Sequence, residues 1–148
     1  IPPLKYNVVY QLKENFFNDE IIINGGITST VQIKDHLKKV DGVMLGRSVY
    51  HSPYLLSDIE KEIFNNDDVP SRQEVIEQLV PYVKKETKKG TRLNQIMRHT
   101  LGLFHGQTGS SFWKRYLSEN MCVRDADVQK IDHIMDKIKF NNLNRSVG

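Results

Sequence analysis

Cysteine is nearly absent from this chain: Cys122 stands alone among 148 residues. A single thiol excludes an internal disulfide framework and fits a reducing cytosol, so a cytoplasmic location is expected. Long apolar runs are missing as well. None approaches the roughly 18–20 residues that a membrane span requires, which excludes a membrane-spanning protein. No signal peptide, internal repeat or low-complexity tract is found. An initiating Met is missing too, the chain opening Ile1-Pro2-Pro3-Leu4, and an N-terminal portion is expected to precede it. With 39% hydrophobic and 26% charged residues the composition is that of a soluble globular chain rather than a disordered one. Its length suits one ordinary domain or two small ones.

Net charge is only +3, but it is unevenly spread. Residues 82–116 carry eight basic side chains (Lys84, Lys85, Lys88, Lys89, Arg92, Arg98, Lys114 and Arg115) against the single acid Glu86, leaving 13 basic and 17 acidic residues elsewhere. A basic segment on an acidic remainder points to a polyanion, although a solvated helix face would look the same by charge alone.

Residues 6–17 have helical spacing, with Val8, Val9, Leu12 and Phe16 as the apolar positions. Ile21-Ile22-Ile23 is β-branched without polar alternation, as in a strand buried on both faces of a parallel sheet. Asn24-Gly25-Gly26 forms a turn. Ser29 or Thr30 caps the next helix, with Val31, Ile33, Leu37 and Val40 inward and Lys34, Asp35, Lys38 and Lys39 outward. Val43-Met44-Leu45 is a second buried strand, ended by Gly46-Arg47. Pro53 then opens a helix carrying Leu56, Ile59 and Ile63. This β-α-β-α order is the α/β barrel or doubly wound pattern.

Residues 65–70 are polar and turn-rich and mark a linker between a domain of residues 1–64 and one of residues 71–148. Beyond them only helices are expected. Ser71 and Glu74 form a capping box, Pro81 kinks the helix that follows, and Gly90 ends it. Further helices are expected over 92–105, 110–120 and from about residue 125, with a frayed tail from 141. His36 and His51 read as surface residues.

A phosphate monoester needs several donors within hydrogen-bond reach. Glycine lets backbone N–H groups turn toward an anion, and an arginine adds a forked, permanently charged donor. Asn24, Gly25 and Gly26, and then Gly46 and Arg47, supply two such turns at successive strand ends, one β-α-β step apart. In βα barrels, phosphate sites are commonly shared by the loops after the seventh and eighth strands.

These turns, the stretch Arg98-His99-Thr100-Leu101-Gly102-Leu103-Phe104, and the block from Trp113-Lys114-Arg115-Tyr116 to Leu117-Ser118-Glu119-Asn120 closely resemble the tRNA-dihydrouridine synthases, best the bacterial A subgroup. The resemblance covers nearly the whole chain, weakening over 65–70 and the last ten or so residues. It implies the C-terminal part (the last two strands) of a (β/α)8 TIM barrel, followed by an all-α helical domain that grips tRNA at the D-loop and elbow. The implied activity is NADPH-linked reduction of D-loop uridine (20/20a) to 5,6-dihydrouridine on FMN. In that family a flavin hydride goes to C6 of an extruded uracil and a cysteine protonates C5. Base extrusion from folded RNA costs a few kcal/mol, which a docking surface must recover.

By the same resemblance, Asn24, Gly25, Gly26, Gly46 and Arg47 hold the FMN phosphate. Lys114, Arg115, Ser111 and Arg98 contact tRNA, with Ser111 standing where the A subgroup tends to carry Arg. His99 is as well placed for a helix–helix hydrogen bond, and Trp113 for the core. The family's catalytic cysteine lies on an earlier barrel loop and is not matched. Cys122 is read as an ordinary small residue between helices, no catalytic residue carries over, and no metal site or DNA partner is expected. Alone, the chain is expected to lack reductase activity. Two other readings stay open: a different barrel enzyme that holds a substrate phosphate with residues 24–47, and a non-catalytic RNA-binding module formed by the helices.

Overall fold

The computed structural model describes residues 3–120. They form two compact units, one from residues up to Tyr50 with Leu55–Val69, the other from His51–Tyr54 and the chain from Pro70 onward. The helix expected from about residue 125, the tail and Cys122 lie outside the described residues.

The first unit contains α1 (Tyr6–Asn15), β1 (Ile22–Asn24), α2 (Thr30–Leu37), β2 (Gly42–Met44), most of α3 (Arg47–His51) and α4 (Leu55–Glu62). β1 and β2 pair in parallel, Ile22 opposite Gly42, Ile23 opposite Val43 and Asn24 opposite Met44. Parallel neighbours need a crossover, and α2 supplies it. Ser29 accepts the N–H of Gln32 as its N-cap, and the Gln32 side chain returns to the N–H of Thr28.

The core of this unit is Ile23, Ile27, Ile33 and Val40, packed by Tyr6, Val9 and Tyr10 from α1 and by Ile59 and Ile63 from the α4 region. Only one face of the strand pair is covered. Ile22 is 56% exposed and Met44 49% exposed, so the expectation of strands buried on both faces fails for the described residues: helices lie against the Ile23 side alone. The same holds for α1 and α2. Val8, Leu12 and Phe16, at four-residue intervals, are exposed, as are Val31 and Leu37.

His36 is buried, not a surface residue. Its ring meets Tyr6 edge-on at 4.7 Å and its Nδ1 lies 2.8 Å from the Tyr10 hydroxyl, so a polar contact and an aromatic wall compensate its burial.

Lys13 closes the loop ahead of β1. Its ammonium donates to the carbonyls of Phe17 (3.0 Å) and Asp19 (2.9 Å) and pairs with Asp41 at 2.8 Å, while Asp41 also accepts the N–H of Ile21. The hydrogen bond from Lys13, then that from Ile21, holds the Asp41 carboxyl below its ordinary value.

The second unit holds α5 (Arg72–Lys88), α6 (Leu93–Met97), a 3-10 turn (Arg98–Thr100) and α7 (Ser110–Asn120). Ser71 and Glu74 form the reciprocal cap at the start of α5, which runs on through Pro81. The single helix expected over 92–105 does not form: α6 stops at Met97. The Thr100 hydroxyl donates to the Met97 carbonyl, and the chain then advances in three-residue turns, Leu103 N–H to Thr100 O and His105 N–H to Gly102 O. These turns direct Leu103 inward beside Phe104, into a core with Ile76, Val83, Leu93, Met97, Trp113 and Leu117.

A carboxyl depressed in the folded state contributes stability above its unfolded pKa and loses it as pH falls through the folded value. Lys13→Met is therefore expected to lower the melting temperature at neutral pH, with the gap to wild type narrowing as the pH falls below the ordinary carboxylate range and Asp41 protonates in both proteins. Circular dichroism melts across that range measure it, and a gap that stayed constant with pH would refute the coupling.

Candidate phosphate and nucleic-acid sites

The register of β1 and β2 brings Asn24 beside Met44, so both strands end at one edge of the sheet and both following turns leave from it. Gly25 and Gly26 have φ of +116° and +64°, a conformation that side-chain-bearing residues rarely adopt. The turn is held from one side: the Tyr6 hydroxyl donates to the Gly25 carbonyl at 2.6 Å, and Leu4 fills the space where a Cβ on Gly26 would sit.

Beside it, Gly46 opens directly into α3, its carbonyl accepting the N–H of Tyr50. The sequence reading treated Gly46-Arg47 as a plain turn and started the next helix at Pro53; α3 escaped it because five residues are too few to show a period. No atom lies within 4 Å of a Cβ built on Gly46. The backbone N–H groups of Gly26, Gly46 and Arg47 have no acceptor among the described residues, and there no carboxylate pairs with the exposed Arg47 guanidinium.

One further group was not anticipated. The Ser48 hydroxyl is buried and has no hydrogen-bond partner among the described residues. A buried hydroxyl left unpaired costs about 1–3 kcal/mol, so this donor, one residue after Arg47, is an observation in favour of a bound acceptor. The only signal in the sequence was a hydroxyl residue directly after Gly-Arg. Together these groups offer backbone donors, a hydroxyl and a guanidinium without an acidic competitor, which is the chemistry of an anion receptor.

In the second unit Trp113 is completely buried, its Nε1 donating to the Thr100 carbonyl at 2.9 Å and its ring 5.1 Å from that of Phe104. Trp113 is thus a core residue, as its alternative reading had it. With Trp113 and Leu117 inward, α7 turns Ser111, Lys114 and Arg115 to solvent. Arg115 makes a long contact to Glu119, 3.9 Å, with both side chains exposed. The Trp113–Thr100 bond ties α7 to the turn that carries Arg98 and His99, both exposed, with Arg98 Nε 3.3 Å from His99 Nε2. The α5 lysines Lys84, Lys85 and Lys88 are exposed, and Lys89 pairs with Glu86.

A parallel strand pair joined by a helix, with glycine-rich turns at its carboxyl edge, makes the first unit an α/β fold. The comparisons take this one step further. A family model described as "Dihydrouridine synthase (Dus)" matches residues 1–139. The chain is 46% identical over 141 residues to the tRNA-dihydrouridine(20/20a) synthase of Synechocystis sp., covering 95% of this chain and 42% of that protein. It is 43% identical over 136 residues to the protein of that name from Haemophilus ducreyi, covering 91% and 42%. It is 39% identical over 144 residues to the one from Vibrio cholerae, covering 97% and 44%. This chain belongs to the dihydrouridine synthase family. It spans about two fifths of the length of these curated relatives.

Trp113→Phe keeps an apolar ring in the core but leaves the Thr100 carbonyl without its indole donor. A loss of about 1–3 kcal/mol is expected, read as a lower denaturation midpoint with an unchanged m-value. An unchanged midpoint would show that the 98–100 turn does not depend on this bond.

Proposed function

We propose that this chain is the C-terminal part of an FMN-dependent tRNA-dihydrouridine synthase, comprising the last two strands of a (β/α)8 barrel over residues 1–64, a linker over 65–70 and a helical tRNA-binding domain over 71–148. The names of its relatives support the reaction class, 5,6-dihydrouridine formation in tRNA at position 20/20a. The observation that carries the proposal is the pair of glycine turns at one sheet edge, with the Ser48 hydroxyl, unpartnered among the described residues, directly after Gly46-Arg47.

Asn24, Gly25, Gly26, Gly46 and Arg47 would hold the FMN phosphate, and Ser48 joins them. A dianion fits donor-rich turns that hold no competing carboxylate. The exposed apolar sheet face of Ile22 and Met44, and the exposed α1 stripe of Val8, Leu12 and Phe16, fit strands and helices of a barrel that continues beyond this chain. When bound, flavin supplies the hydride chemistry, with NADPH as the reductant. The residues described here anchor the cofactor at its phosphate end and position the RNA. The family's proton-donating cysteine has no counterpart among the described residues, so the 148-residue chain alone is expected to be inactive.

For tRNA, Lys114, Arg115, Ser111 and Arg98 are the proposed contacts. Lysine and arginine neutralise backbone phosphates and release counterions, which makes the affinity salt-dependent. Among the described residues no helix is long and apolar enough to cross a membrane.

Two measurements test this reading in the full-length protein. Arg47→Ala removes a charge-assisted contact of about 1.5–3 kcal/mol. It is expected to weaken FMN binding roughly ten- to hundredfold. Riboflavin, which has no phosphate, is expected to bind as to wild type. Equal losses for both ligands would place Arg47 away from the phosphate. Lys114→Ala with Arg115→Ala is expected to reduce tRNA affinity and flatten the log–log salt slope by about 1–2. An unchanged slope would remove these side chains from the RNA interface.

A further inference from the structure

Each turn at the carboxyl edge contains a peptide whose carbonyl is engaged while its N–H has no acceptor among the described residues. In the second turn it is the peptide joining Gly46 to Arg47. The Gly46 carbonyl accepts the N–H of Tyr50 at 3.4 Å as α3 begins, and a trans peptide points its N–H opposite to its carbonyl. Helix geometry alone therefore turns the Arg47 N–H away from α3.

The first turn has no such help. α2 starts only at Thr30, so no helix follows directly to orient the peptide between Gly25 and Gly26. With glycine on both sides, at φ of +116° and +64°, this peptide meets no Cβ as it rotates. It can present either its oxygen, which repels an anion, or its N–H, which attracts one.

A side chain makes the choice. Tyr6, the first residue of α1, donates its hydroxyl to the Gly25 carbonyl at 2.6 Å. The oxygen is held toward Tyr6, and the Gly26 N–H faces the other way. That side of the turn is also filled. A Cβ on Gly25 would meet Leu4 at 3.1 Å, and one on Gly26 would meet Leu4 at 2.8 Å and the Tyr6 oxygen at 3.1 Å. The Tyr6 ring is braced in turn by the buried His36, edge-on at 4.7 Å. All of these residues lie in the first unit, with Arg47 and Ser48. The one hydroxyl proton of Tyr6 is committed to the carbonyl, so its part is to orient the turn rather than to touch the anion.

We propose that Tyr6 is a positioning residue whose hydroxyl selects the orientation of the Gly25–Gly26 peptide in which the N–H, not the oxygen, meets the FMN phosphate. This rests on the phosphate reading of the two turns, and the test separates the two. In the full-length apoprotein, FMN and riboflavin are titrated by quenching of flavin fluorescence, and folding is followed by thermal melts.

Tyr6→Phe keeps the ring against His36 and removes only the hydroxyl. It is expected to weaken FMN binding about three- to tenfold, the bias that one hydrogen bond gives to a two-state peptide, while riboflavin binding changes less than about twofold. Tyr10→Phe is the control. It deletes a hydroxyl one turn further along α1 that bonds to His36 and not to the glycine turn, and it is expected to leave the ratio of the two affinities as in wild type. A merely structural role for Tyr6 would lower the melting temperature and both affinities together, leaving their ratio unchanged, and that result overturns the proposal. A wild-type ratio in Tyr6→Phe alongside a reduced one in Arg47→Ala overturns the role of Tyr6 alone. A wild-type ratio in both variants overturns the phosphate reading and the role of Tyr6 with it.

Discussion

The carboxyl edge of the sheet depends on the register of one parallel strand pair. With Asn24 opposite Met44, both chains run out of strand at the same level, and the turns that follow share one edge. A slip of a single residue would turn Ile23 out of the core and stagger the two turns. What prevents the slip is burial: Ile23 is 1% exposed beneath α1, α2 and α4, while Ile22 and Asn24 on either side face away. The arrangement of the two glycine turns at the edge is thus maintained by an apolar contact on the covered face. Lys13 and Asp41 secure the opposite end of the pair, where the loop from α1 enters.

The helical unit rests on a comparable economy. Trp113 fills the centre of its core and satisfies the carbonyl of Thr100, so one side chain both packs α7 and ends the helical run begun at Leu93. The consequence is functional geometry. Once Trp113 and Leu117 point inward, Ser111, Lys114 and Arg115 have no orientation left but toward solvent. The selective block of the sequence therefore combines two duties on one helix, a core anchor and a basic outer face.

Much of this was legible residue by residue. The Ser71–Glu74 cap, the cap at Ser29 and the positions of both strands followed from local chemistry, because a cap or a β-branched run declares itself within a few residues. Non-local contacts did not declare themselves. His36 lies on an otherwise polar stretch, and its burial arises from Tyr6 and Tyr10, more than two dozen residues earlier. Continuing the helical period from Leu93 to His105 was reasonable on spacing, yet the Trp113 indole and the close passage of His51 impose tighter turns there. Val8, Leu12 and Phe16 show the opposite limit: periodicity marked an apolar stripe correctly as a packing surface, but not which neighbour covers it.

From the order of residues alone came the two glycine turns, the basic helical half and the motifs that carry the family, because each is written in adjacent positions. The fold added what adjacency cannot express. It placed the two turns side by side through strand register, left the Ser48 hydroxyl buried without a partner among the described residues, and brought Gly102 against a carbonyl 51 residues earlier. Those three facts depend on where distant segments meet, and such meetings are chosen by the packing of the whole unit rather than by any local preference of the chain.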